Sequence, residues 1–269
     1  MALVIAGASG YMGRRTARLL IAGGMRAADL ILVSRTPDQL ADLAALGART
    51  RYGDFTDPAS LAAAFAGAAR MFLINAAPDH LPRRSDRPAI HRDAIAAAKA
   101  AGIAHVVFLS MIGAEKPGNP YYAIEPALRD SGTRKTAYAS RDDFYAAVVA
   151  VLASGGHEGQ VYNLTGPQYS LRDIAALLGE LSGKGIAVVQ LYGDELRQDL
   201  LARGMDPYVV EIVMKSPGGG AFLADRGDIV SDFPKLIGRE ARSLREHFAA
   251  HRDELLGGAP PAGQEPIFT

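Results

Sequence analysis

The chain has 269 residues, and its 29 lysines and arginines are balanced by 29 aspartates and glutamates, so no net field draws it as a whole to nucleic acid or to an anionic membrane. The length suits one large α/β domain or a large domain carrying a smaller lobe. It contains no cysteine, which excludes a disulfide framework, a thiolate metal site and a cysteine nucleophile.

Met1-Ala2-Leu3-Val4-Ile5-Ala6 runs directly into a strand pattern without a basic lead, and no apolar run reaches membrane-spanning length, so an unprocessed cytoplasmic protein is expected. Apolar and helical runs then alternate, the sign of βαβ units and a parallel sheet. The pattern predicts a strand at Leu3–Ala6, a helix from about Met12 to Ala22, a strand at Leu30–Val33 and a helix opening near Pro37, where proline suits the first turn. Thr50-Arg51-Tyr52 leads into Gly53-Asp54, and Asp57-Pro58-Ala59-Ser60 reads as cap and first turn of a helix through Phe65. Strands follow at Met71–Ile74 and His105–Leu109, on either side of an alanine-rich helix from about Ala89 to Ala101 that stops at Gly102. Runs apolar on both faces suit strands covered on both sides.

The second half predicts helices at Asp142–Leu152, at Ser170–Leu181 with Ser170 as cap, near Asp194–Ala202 and at Tyr208–Met214. Short strands are predicted at Val161–Leu164 and Val188–Leu191, a loop at Pro217–Gly220 and a fraying Gly/Pro-rich tail from Gly257 to Thr269. The division this suggests is a domain over 1–136, a smaller lobe over 137–256 and a tail over 257–269.

Gly7-Ala8-Ser9-Gly10-Tyr11-Met12-Gly13 falls between the first strand and the first helix, where a dinucleotide's pyrophosphate is held. Gly7 allows the tight turn, Gly10 the approach of the phosphates and Gly13 the packing of helix on strand, while the backbone of Ser9, Tyr11 and Met12 completes the cradle. The second strand ends Val33-Ser34-Arg35-Thr36, without the carboxylate that would hold ribose hydroxyls. Arg35 offers a planar guanidinium to a 2′-phosphate and Ser34 adds a hydroxyl, so NADPH is the expected cofactor. Asp54 and Phe55 are candidates for the edge and face of adenine; an aspartate in a turn serves equally often as a cap. Asn75, Ala76 and Ala77, at the end of the fourth predicted strand, leave room for ribose and nicotinamide, and Ser110 ends the fifth as a pocket-lining hydroxyl. A Rossmann-type doubly wound parallel sheet with a smaller C-terminal α/β substrate lobe is the fold class these readings predict.

Together these segments resemble the NmrA-like, atypical short-chain dehydrogenase/reductase family, particularly its NAD(P)H:quinone oxidoreductase and triphenylmethane reductase branch. Besides the glycine motif, Ser34-Arg35 and Gly53-Asp54-Phe55, the matching runs include His91-Arg92-Asp93-Ala94-Ile95, Phe108-Leu109-Ser110, Ser131-Gly132, Ser140-Arg141-Asp142-Asp143, Gly156-His157-Glu158-Gly159 and Tyr162-Asn163-Leu164-Thr165-Gly166. The resemblance implies an NADPH-dependent reductase of a quinone or related conjugated aromatic electrophile, working as a monomer or homodimer on a small molecule, with no nucleic-acid or membrane partner. It leaves open a non-catalytic dinucleotide sensor and a reductase or epimerase of another small molecule.

Two departures stand out. Similar proteins place a parallel strand and a long loop after the Ser131-Gly132 turn, whereas only Thr133 to Ala139 intervenes here before the Ser-Arg-Asp-Asp helix. Because losing a buried strand would expose its neighbour's edge, an omitted segment is the expectation. The usual Tyr-x-x-x-Lys acid dyad is also absent, since Glu125 stands four residues after Tyr121 and Pro126 four after Tyr122. Tyr121 and Tyr122 are left as auxiliary proton donors, or equally as packing residues in a loop following Pro120, with the cofactor carrying the chemistry. No metal-ligand spacing is present, and His91 and His105 read as structural.

Overall fold

The computed structural model describes residues 2–74, 87–109, 135–188, 191, 193–205, 207, 210–211, 214 and 229–256. Contacts divide the chain into two units, Met1–Met111 with Tyr145–Val161, and Ile112–Phe144 with Tyr162–Thr269.

In the first unit β1 (Leu3–Ala6), β2 (Leu30–Ser34), β3 (Arg49–Tyr52), β4 (Arg70–Leu73) and β5 (His105–Phe108) form a parallel sheet in the order β3-β2-β1-β4-β5. Each of the five sequence-predicted strands of this half is present, with ends within one residue of those expected. The connections are α1 (Tyr11–Ala22), a 3-10 turn at Pro37–Leu40 running into α2 (Ala41–Ala45), α3 (Pro58–Phe65) and α4 (Arg87–Ala100). Strand alternation sends Val4, Ala6, Ile31, Val33, Met71 and Leu73 to one face, where they pack with Leu61, Ala64 and Phe65 of α3 and Ala94 and Ala98 of α4. Leu3, Ile5, Leu30, Leu32 and Phe72 point the other way and are equally buried. Burial of each such side chain contributes about 1.5–3 kcal/mol, which is why the central strands are apolar throughout. The edges differ: β3 carries Arg49 and Arg51, whereas β5 reads His-Val-Val-Phe with Phe108 exposed.

Asp57 occupies the position before α3, but its side chain makes no capping bond; the Ser60 hydroxyl donates to its carbonyl instead (2.7 Å).

In the second unit β6 (Lys135–Ala137) and β7 (Gln168–Ser170) pair antiparallel, Lys135 opposite Ser170. Between them in sequence runs α5 (Arg141–Ala153), which belongs to the first unit from Tyr145 on, and α6 (Leu171–Ser182), α7 (Gly193–Ala202), α8 (Phe233–Ile237), α9 (Leu244–Ala250) and α10 (Arg252–Leu255) follow in the second. Ser170 caps α6 as expected, in a reciprocal box with Asp173. The strand predicted at Val161–Leu164 does not form. The backbone of Asn163 exchanges hydrogen bonds with Asp232 instead: the Asn163 N–H donates to its carboxylate (2.7 Å) and the Asp232 N–H to the Asn163 carbonyl (2.8 Å). Residues 189–190 of the Val188–Leu191 strand lie outside the described residues, as do the Pro217–Gly220 loop, the tail from Gly257 and part of the 208–214 helix.

Just before Ala139, where an omitted segment is expected, Lys135–Ala137 is a strand of the second unit's small sheet. Among the described residues β5 pairs with β4 alone. No described helix is long and apolar enough to cross a membrane.

Candidate dinucleotide site

Strand order reverses beside β1, which lies between β2 and β4, and the crevice at the strands' C-terminal ends opens there. The turn leaving β1 is bolted to β2, since the N–H groups of Gly7 and Ala8 both donate to the Val33 carbonyl (3.1 and 3.0 Å). Gly7 has φ +91°, a conformation that glycine adopts without strain.

The other two glycines of the motif are required for different reasons. A Cβ on Gly13 would sit 2.5 Å from the Gly7 carbonyl oxygen and 2.6 Å from the Ala8 Cα, so only glycine lets α1 pack on its own entry turn. A Cβ on Gly10 would meet nothing nearer than the Gly7 carbonyl oxygen at 3.5 Å, an ordinary contact. The protein therefore leaves space at Gly10, beside the helix start where the first N–H groups have no acceptor within the helix. No acidic residue occupies the first turn of α1, so the positive end of the helix dipole is open to a pyrophosphate. Tyr11, from this turn, packs its ring 6.0 Å from that of buried Tyr145 on α5.

At the end of β2 a chain of hydroxyls joins the two halves of the motif. Ser34 is buried, its hydroxyl donating to Ser9 Oγ (2.8 Å) and accepting the Thr36 N–H (2.9 Å). Arg35, between these anchored neighbours, is exposed. Opposite it Arg14 of α1 donates to the Gln39 carbonyl (2.5 Å) and to the Asp42 carboxylate (2.9 Å). Arg14, Thr36 and Gln39 were not among the sequence candidates; the available signal was a basic residue immediately after Gly13, one turn into the helix.

Past β3, Asp54 Oδ1 accepts from the N–H and the hydroxyl of Thr56 (both 2.8 Å), closing a tight turn. The Asp54 N–H donates to Ser60 Oγ (2.9 Å), which joins this turn to α3. Phe55 packs on the core beside the ring of His91 (6.3 Å), which in turn meets Phe108 edge-on (5.5 Å). The structure thus gathers Gly7, Ser9, Gly10, Tyr11, Met12, Gly13, Ser34 and Arg35 round the β1 and β2 ends, with Asp54 and Phe55 beyond β3. Asn75, Ala76, Ala77, Ser110, Tyr121 and Tyr122 lie outside the described residues.

A parallel sheet reversing at a glycine turn that opens a helix defines a Rossmann-type dinucleotide-binding protein. The chain belongs to the NAD(P)H-binding family, which it matches over residues 7–158. It is 27% identical to quinone oxidoreductase 2 of Escherichia coli, with 91% of this chain and 96% of that protein aligned. It is 26% identical to the NAD(P)H azoreductase of Xenophilus azovorans, over 93% and 97% of the two chains. The crystal structure of an NADPH-dependent quinone oxidoreductase from E. coli complexed with NADPH superposes with a TM-score of 0.74 at 26% identity, covering 92% of this chain and 98% of that one. Family, fold and relatives together define an NAD(P)H-dependent oxidoreductase. The sequence alignments run over 285 and 290 positions, more than the 269 residues present, so the relatives carry internal residues without counterparts here.

Proposed function

We propose that the protein is an NADPH-dependent reductase that delivers hydride to a quinone or a related conjugated aromatic electrophile. The observation that carries the cofactor preference is the end of β2, where exposed Arg35 stands between buried Ser34 and hydrogen-bonded Thr36 and the strand end Val33-Ser34-Arg35-Thr36 itself carries no carboxylate to repel a 2′-phosphate. When bound, the nicotinamide supplies the hydride. The chain's own part is to hold the pyrophosphate at the start of α1, to read the 2′-phosphate with Arg35 and to bracket the adenine with the Asp54-Phe55 turn. Ser34 acts from behind, orienting Ser9 and Thr36 toward the ribose. Asn75, Ala76, Ala77 and Ser110 are proposed to line the nicotinamide end, with Tyr121 and Tyr122 as auxiliary proton donors. The electrophile class is supported by the two relatives, whose names specify a quinone and an azo compound.

The test is a titration of NADPH and NADH against wild type and Arg35→Ala, followed by NADPH oxidation with a panel of quinones, azo compounds and aldehydes. Arg35→Ala is expected to lose about 1.5–3 kcal/mol toward NADPH and little toward NADH. Equal affinity for both cofactors in the wild type refutes the cofactor reading; binding without turnover of any conjugated acceptor refutes the reductase.

A further inference from the structure

Arg35 is exposed on a short connection between β2 and the 3-10 turn, and an arginine on a mobile loop would lose conformational freedom when it closes on a phosphate. The structure shows this connection anchored on both sides. On one side stands the hydroxyl chain from Ser9 through buried Ser34 to the Thr36 N–H. On the other the Thr36 hydroxyl donates to Gln39 Oε1 (3.0 Å) and the Gln39 N–H to the Thr36 carbonyl (3.1 Å). The Gln39 carbonyl in turn is held by Arg14.

Arg14 is well placed for such a role. Its own N–H donates to the Gly10 carbonyl (3.0 Å), closing the first helical hydrogen bond of α1, so its backbone moves with the phosphate turn. Its guanidinium spans from Gln39 to the carboxylate of Asp42 on α2, and Arg18, one turn further along α1, binds the other oxygen of the same carboxylate (2.9 Å). Hydrogen bonding from Arg18, opposed by slight burial and helped by Arg14, holds the Asp42 carboxyl below its ordinary range, so it is an anion throughout neutral pH. Arg14, Arg18 and Arg35 against Asp38 and Asp42 leave this corner with one net positive charge, the sign a 2′-phosphate requires.

We propose that Arg14 is a positioning residue for cofactor discrimination, stapling the segment Thr36–Asp42 to the start of α1 so that Arg35 is preorganised for the 2′-phosphate. The inference rests on the reading of Arg35 given above. An anchored arginine gives up less freedom on binding, so the staple strengthens NADPH binding without touching that ligand.

Dissociation constants for NADPH and NADH, measured at one ionic strength on wild type, Arg14→Ala, Arg35→Ala and the double variant, separate the possibilities. Arg14→Ala should weaken NADPH about tenfold and NADH less than about twofold, and the double variant should bind NADPH within about twofold of Arg35→Ala, because residues acting through one another are not additive. Equal weakening for both cofactors would show that Arg14 merely supports α1 and overturns the proposal, as does full additivity in the double variant. If Arg35→Ala is silent while Arg14→Ala still erases the preference, the reading of Arg35 fails and Arg14 is itself the phosphate ligand. Should Arg14→Ala not fold, Asp42→Asn loosens the same staple from α2. A loss of about threefold or more confined to NADPH supports the proposal, and no loss, or one shared with NADH, overturns it.

Discussion

The two units solve the problem of a stable interior in opposite ways. Among the described residues the sheet unit buries no carboxylate: its interior is Leu, Ile, Val, Phe, Met, Ala and Tyr145, with Thr16, Ser34 and His91 as the buried polar side chains. The second unit buries Asp143 and Glu254 and is organised round the first of them. Asp143, inaccessible to solvent, accepts from the Arg239 guanidinium (2.5 Å) and from the Arg242 N–H (2.6 Å). An apolar core tolerates exchange of one hydrophobe for another of similar volume. A buried carboxylate has no such substitute, because its removal strands the cations gathered round it.

The sharpest way to break this contrast is Asp143→Ala. About 3 kcal/mol of stability should be lost, the lower end for a severed buried pair because Arg239 and Arg242 remain half hydrated. Denaturant unfolding measures it, and a loss below about 1 kcal/mol would mean that the ion cluster is ornamental. Acid should act in the same way. Burial opposes ionisation of Asp143, but hydrogen bonds from Arg239, the Arg242 backbone and Ser140 outweigh it and hold the carboxyl below its ordinary range. A depressed carboxyl contributes stability above its unfolded value of about 3.9 that is lost as pH falls through the lower folded value. The wild-type melting temperature should therefore drop below about pH 4 more steeply than that of Asp143→Asn.

The next largest effect is on the sheet unit and touches binding alone. Gly10→Val adds a side chain where the protein itself leaves room, so the apo melting temperature should hold while stabilisation by NADPH disappears, about 2.7 kcal/mol at a hundredfold excess over the dissociation constant. A variant still stabilised like the wild type would sink the phosphate-turn assignment. Smallest is Ser170→Ala, which removes a cap in the second unit and should cost about 1 kcal/mol in thermal or denaturant unfolding. A cost of zero would show that β7 holds the start of α6 without its cap.

The same contrast explains what could be read from the residues. β1, β2, β4 and β5 announce themselves as short apolar runs, and α1 and α4 begin or end at glycines, so the sheet and the glycine turn were legible locally. Ser170 before the apolar run of α6 is likewise a local signal, and it caps that helix in the structure. Asp143 read only as an acidic first turn of a helix, because its arginine partners lie 96 and 99 positions away and nothing in the neighbouring sequence points to them. Val161–Leu164 read as a strand from its apolar residues, but the distant Asp232 takes the backbone groups of Asn163 that a strand would need. The strand that does form, Gln168–Ser170, is short and polar and exists because Lys135–Ala137 lies beside it. Within the site, Gly7, Gly13, Ser34 and Arg35 followed from motif and strand end, whereas Arg14 depended on knowing which residues α1 faces.

The Val33 carbonyl accepts both the Gly7 and the Ala8 N–H, so the glycine turn and the strand end that carries Arg35 are tied together. A dinucleotide bound as proposed would therefore meet two recognition elements at a fixed spacing, and engaging the first would raise the effective concentration of its other end at the second. The adenosine portion should in consequence behave as an address label that docks without the redox-active ring. Adenosine 2′,5′-bisphosphate, immobilised or free, ought to be retained where adenosine 5′-phosphate is not, and a column bearing it becomes a means of purification that reads cofactor choice directly.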